Sequence, residues 1–138
     1  MFTTVAPFAT IVILLVWMGF FMLGSLPLMI LKHDTPLDAR FIRGLFDVYY
    51  KAVMIVAAAG LLAHALAHRP VTTVAMAVIG LVAFWSRRVI LSRMDSLRMT
   101  MTATDTVGIR RFRKLHVWGM SLNVVQLLTI CFGLPVVL

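Results

Sequence analysis

The chain has 138 residues, 62% of them hydrophobic and only 13% charged, with a mean hydropathy of +1.00. A soluble domain is about half apolar and about a quarter charged, so this composition excludes an ordinary soluble domain and makes lipid the expected solvent. The net charge of +8 comes from 13 Lys and Arg against five acids, all Asp; in a membrane protein such an excess is a topology signal, and with no zinc-finger spacing or aromatic RNA-binding strand no nucleic-acid partner is expected.

Taken in chain order, four segments read as transmembrane helices: residues 5–31, 52–67, 71–86 and 115–138. Each approaches the roughly 20 apolar residues that a bilayer crossing needs. The first 31 residues hold no charge, so a retained helix is expected there rather than a signal peptide with a basic start. The two middle segments are short, and Lys51, Arg87 and Arg88 are expected to snorkel from their ends. Thr35-Pro36-Leu37-Asp38 has a cap residue, then proline, then an acid, which starts helix two near Pro36, before the membrane. Asp47 stands one turn from both Arg43 and Lys51, where an ion pair is expected. Beyond segment three, Ile90, Met94, Leu97 and Met101 recur at helical spacing, opposite Arg88, Arg93 and Asp95. Asp105 or Thr106 would cap helix four. The expected fold is all-α: a four-transmembrane-helix up-down bundle in one domain over 1–138, with helices two and three extended beyond the bilayer.

Charge placement orients it. Only Arg69 lies in the turn between helices two and three; the other twelve cations lie on the opposite side. By the positive-inside rule that side is cytoplasmic, with both termini periplasmic if the membrane is a bacterial inner membrane.

The run RRFRKLHVWGMSLNVVQ, residues 110–126, sets four cations before an apolar stretch that still contains His116, Asn123 and Gln126. At 100° per residue His116, Gly119, Asn123, Gln126 and Ile130 share one face, whereas Ser121 points elsewhere. Facing lipid would be costly, so the stripe turns inward. There it either bonds neighbouring helices, the favoured reading, or lines a polar cavity for an ion or small ligand. His116, beside Lys114, reads as interfacial. His64 and His68 are four apart and would share a face of helix two as two ligands of a metal site, but no Cys, Asp or Glu on that side completes one. Ten methionines raise a copper reading; with no Met-rich repeat, packing is the expected role. Cys131 is single and excludes an intrachain disulfide. The basic residues Arg87, Arg88, Arg110, Arg111, Arg113 and Lys114 form a surface suited to anionic lipid headgroups or an acidic partner.

Two stretches carry a family resemblance. RGLFDVYYKA, residues 43–52, resembles the Phe-x-x-Tyr-aromatic segment, and FRKLHVWGMSLNVVQLL, residues 112–128, resembles the Phe-x-x-Leu-His…Ser…Asn pattern, of the domain-of-unknown-function family 4149, the transmembrane-protein-205-like proteins. The likeness spans nearly the whole chain in order and spacing, and it marks Phe112, Leu115, His116, Ser121 and Asn123. It is also distantly similar to copper-resistance D and HemJ-type membrane proteins. The HemJ type carries a histidine in its first helix; here the first histidine, His33, lies beyond it.

The function expected on these grounds is that of a non-catalytic accessory or interaction subunit, with no cofactor, embedded in the lipid bilayer within a larger membrane complex or a homo-oligomer. The alternatives are a metal- or porphyrin-handling protein using copper or haem at His64, His68 or His116, and a small-solute transporter.

Overall fold

A computed structural model describes residues 2–31 and 35–137. Lys32 and His33, which figure in the sequence reading, lie outside them. The helices are α1 (Phe2–Ile30), α2 (Pro36–Leu66), α3 (Pro70–Ser86), α4 (Ser92–Thr100) and α5 (Thr106–Val137), with a π-helical turn, Arg87–Leu91, joining α3 to α4. No strand occurs among the described residues. Among the described residues four helical spans, with α3, the π turn and α4 counted as one, are long and apolar enough to cross a membrane. The protein is an all-α integral membrane bundle.

Heptad stripes explain how the helices assemble. Ile11, Leu14, Met18, Phe21 and Ser25 form the buried seam of α1. Ala39, Ile42, Phe46, Tyr49, Val53, Ala57, Gly60 and His64 form that of α2. On α5 the buried stripe runs through Phe112, His116, Gly119, Asn123 and Ile130, with Gly108 and Met120 buried beside it. Spacings of three and four keep such positions on one side of a helix, which is the requirement for near-parallel packing in a bundle. The pairings run antiparallel: Gly60 faces Thr10 and Met76, while Ser25 meets His116. The remaining faces are apolar and outward, with Leu23, Val71 and Phe132 more than 70% exposed. Such a surface would aggregate in water; in hydrocarbon it is simply solvated.

The helix ends follow from local chemistry. Thr35 and Asp38 close a reciprocal capping box, Asp38 N–H donating to Thr35 Oγ1 at 3.2 Å and Thr35 N–H to Asp38 Oδ2 at 3.1 Å, so α2 begins at Pro36 as its sequence predicts. Asp105 rather than Thr106 caps α5, accepting from Gly108 N–H at 2.9 Å. That cap starts α5 nine residues before the apolar run at Leu115. Between α2 and α3, Arg69 N–H donates to His64 O and His68 N–H to Ala65 O, both at 3.0 Å. This is a Schellman ending with His68, at φ 54°, in the left-handed position usually held by glycine. Pro70 then opens α3.

Three expectations are corrected here. Arg43 does not pair with Asp47: it grips Asp95 on α4 through Nε and Nη2 at 2.9 and 3.0 Å. Asp95 therefore faces α2 rather than the outer face. Asp47 joins Lys51 at 2.7 Å, as expected, and also Arg87 at 2.9 Å. The apolar seam beyond segment three is not one regular helix. A π turn interrupts it, and consecutive Ile90 and Leu91 lie inside, each 4% exposed. Met101 is buried, but from an extended residue past the end of α4.

The left-handed His68 generates a prediction. An L-residue there costs about 1–2 kcal/mol relative to glycine. His68→Gly is expected to raise stability by about 1 kcal/mol, and the β-branched His68→Val to lower it, in detergent-driven unfolding followed by far-ultraviolet circular dichroism.

Candidate functional site

At the basic end of the bundle, α1, α2 and α5 bring together the polar residues singled out in the sequence. His116 Nε2 and Ser25 Oγ lie 2.6 Å apart, both buried. One heptad along α5, Asn123 Oδ1 accepts from the Tyr49 hydroxyl at 2.6 Å, and Asn123 Nδ2 donates to the Met18 carbonyl at 3.3 Å. A single amide thus joins three helices. Aromatic rings fill the space between these bonds. Phe21 stacks on Tyr49 with centroids 3.9 Å apart, and Phe46 stands edge-on to Phe21 at 5.0 Å and to His116 at 5.5 Å. Gly119 makes room for Phe46: a Cβ there would collide with the ring edge at Cε1 and Cζ. That close approach is the positional reason for glycine in the middle of α5.

His116 is 2% exposed, buried within the bundle. Because α5 begins at Thr106, His116 lies about three turns inside the helix, facing Ser25. The void beside it, lined by Leu28, Met29, Ile42, Phe112 and Arg113 among others, holds about 20 Å³. That admits at most one water. The seam is therefore a set of interhelical bonds, and at His116 it leaves no space for a small ligand.

His64 and His68 are not brought onto one face. His64 is fully buried, its Nδ1 2.7 Å from Thr72 Oγ1 on α3. His68 lies past the end of α2 in the exposed turn. Among the described residues no three His, Cys, Asp or Glu side chains cluster to hold a metal. Gln126, the outermost member of the stripe, does not join the bonded seam. Its Nε2 is buried without a hydrogen-bond partner among the described residues. It lines an apolar groove of about 560 Å³ between α3 and α5, with Thr72, Ala75, Met76, Thr129 and Gly133.

The basic surface divides. Arg87 is committed to Asp47, Arg88 lies over the Phe84 ring at 5.7 Å, and Arg113 is half-buried beside the small void. Arg110 is exposed. Arg111 and Lys114 instead line a second groove with Arg93 on α4. Sequence reasoning missed Ser25, Tyr49, Phe46 and Arg93 as members of these sites. Ser25 had a signal, since it continues the 11-14-18-21 spacing of α1, and Phe46 and Tyr49 continue the 39-42 spacing of α2; Arg93 needed the partner helix.

Two predictions test the seam. Gly119→Ala drives a methyl into Phe46 and is expected to destabilise by about 1–3 kcal/mol, whereas Ser121→Ala, on the lipid side, leaves stability within about 0.5 kcal/mol. A double-mutant cycle of Tyr49→Phe and Asn123→Leu, read by reversible unfolding in mixed micelles, is expected to give a coupling of about 0.6–2 kcal/mol. Additive effects would mean that the bond carries no coupling.

No family model, no curated protein and no solved structure matches the chain, so the geometry carries the functional reading.

Proposed function

We propose that the protein is a non-catalytic accessory subunit of a membrane assembly, and that it receives a transmembrane helix of another subunit in the groove between α3 and α5. The observation that supports this most is Gln126. An amide donor inside hydrocarbon costs free energy until it finds an acceptor, and Gln126 Nε2 has none among the described residues. A lipid acyl chain filling the groove offers no acceptor; a helix presenting a carbonyl or hydroxyl does, once the Gln126 amide, buried as it stands, turns into the groove.

The groove suits such an occupant. Its walls run over residues 71–82 of α3 and 122–133 of α5, a length of about 18 Å each at 1.5 Å per residue. Thr72, Ala75, Thr129 and Gly133 are the small residues that let helix backbones approach in lipid. The inner seam is by contrast spent: its histidine, asparagine and tyrosine bond within the chain, which favours a structural part over catalysis. On the placement of twelve of thirteen cations, we assign the basic end to the cytoplasm and both termini to the periplasm of a bacterial inner membrane. On Phe112, Leu115, His116, Ser121 and Asn123 we assign the chain to the family-4149 type.

A photo-reactive residue at Thr129, inside the groove, is expected to crosslink to one other membrane protein in native membranes, while the same group at Leu62, on the outer face of α2, gives none. Gln126→Leu is expected to abolish that adduct while leaving the isolated protein as stable or slightly more so, because it removes an unpaired donor. Adducts to lipid alone, or only to a second copy of this chain, would contradict the proposal.

A further inference from the structure

The groove at the basic end carries an inference of its own, independent of the accessory reading. It has a volume of about 530 Å³ and lies between α4 and the start of α5, lined by Arg93, Ser96, Leu97, Arg111, Lys114, Leu115 and Trp118. Three cations converge there and no acid lines it. The acids nearby are engaged elsewhere: Asp95 with Arg43 and Arg98, Asp47 with Lys51 and Arg87, and Asp105 with the first turn of α5. Among the described residues no salt bridge reaches Arg93, Arg111 or Lys114. The ion pairs of this end thus gather between α2, the π turn and α4, and the three cations lining the groove are left out of them.

The lining is ordered along α5. Arg111, Lys114, Leu115 and Trp118 stand at i, i+3, i+4 and i+7, on one face. Cations come first, then leucine, then an exposed tryptophan, as α5 enters the apolar span. Tryptophan favours the level where headgroups meet hydrocarbon. A soluble anion or an acidic peptide would use the cations and leave Leu115 and Trp118 unused. A molecule with an anionic head and an apolar tail uses both ends.

We propose that this groove binds an anionic phospholipid, its phosphate held by Arg93, Arg111 and Lys114 and its acyl chain laid along Leu115 and Trp118. Arginine supports this through paired N–H donors matched to phosphate oxygens, and lysine as a point charge.

The test uses the full chain with Trp17→Phe and Trp85→Phe, leaving Trp118 as the only tryptophan, in phosphatidylcholine bilayers containing rising fractions of brominated phosphatidylglycerol. Quenching of Trp118 is expected to report a preference for phosphatidylglycerol over brominated phosphatidylcholine of at least about fivefold, the factor that about one engaged basic residue supplies. Replacing Arg93, Arg111 and Lys114 together by Gln is expected to return the ratio to about one. Replacing Arg40, Arg88 and Arg110 by Gln removes the same charge elsewhere and is expected to leave it. Arg93→Lys with Arg111→Lys keeps the charge and is expected to retain most of the preference if the Gln variant folds poorly. Equal quenching by both lipids, or equal loss in both Gln variants, would overturn the site. Relief of quenching by millimolar inorganic phosphate would assign it to a soluble anion and overturn the lipid.

Discussion

The bundle is registered by one constraint: a polar side chain among helices solvated by hydrocarbon has no water to turn to, and leaving it without a partner is costly. Asn123 meets that constraint for three helices at once, accepting from Tyr49 on α2 and donating to the Met18 carbonyl on α1. Ser25 and His116 repeat the arrangement one heptad nearer the basic end. Apolar surfaces alone would not fix how α1, α2 and α5 slide past one another, because lipid tails are as apolar as leucine. The bonds supply the register, and Phe46 seated over Gly119 supplies the spacing.

The opposite requirement governs the basic end. There the chain carries more cations than it can pair, and it pairs them selectively. The Arg43–Asp95 fork and the Lys51–Asp47–Arg87 triad lace α2 to the π turn and α4. The π turn belongs to this lacing, for it carries Arg87 to Asp47 while Ile90 and Leu91 both reach the core. Arg93, Arg111 and Lys114, left out of these pairs, line the groove between α4 and α5. The bonded seam thus holds the fold, while Gln126 lines one groove and three cations line the other.

Much of this was legible in the sequence. The number of spans followed from runs of apolar residues, the start of α2 from Thr35-Pro36-Leu37-Asp38, and the inward face of α5 from the 116-119-123-130 spacing. All of these are local, encoded within one or two turns. What stayed hidden was the choice among partners distant in sequence. Arg43 has an acid one turn away and another 52 residues away, and it takes the distant one. His64 and His68 read as a pair until the helix ended between them, because a Schellman turn at a non-glycine residue leaves no compositional mark. Gln126 looked like Asn123 from its spacing; only the separation of α3 from α5 makes one a bonded core residue and the other a groove residue.

The central claim is that the polar seam is closed and that function belongs to the grooves. Its most direct test is water access to the seam. In a chain with Cys131→Ser, single cysteines at Ser25, Asn123 and Arg93 are exposed in native membranes to a small water-soluble thiol reagent. The account predicts rapid labelling at Arg93→Cys and none at Ser25→Cys or Asn123→Cys. Labelling at either seam position would reveal an aqueous path through the bundle, and would turn the polar stripe from glue into the lining of a transport or ligand route.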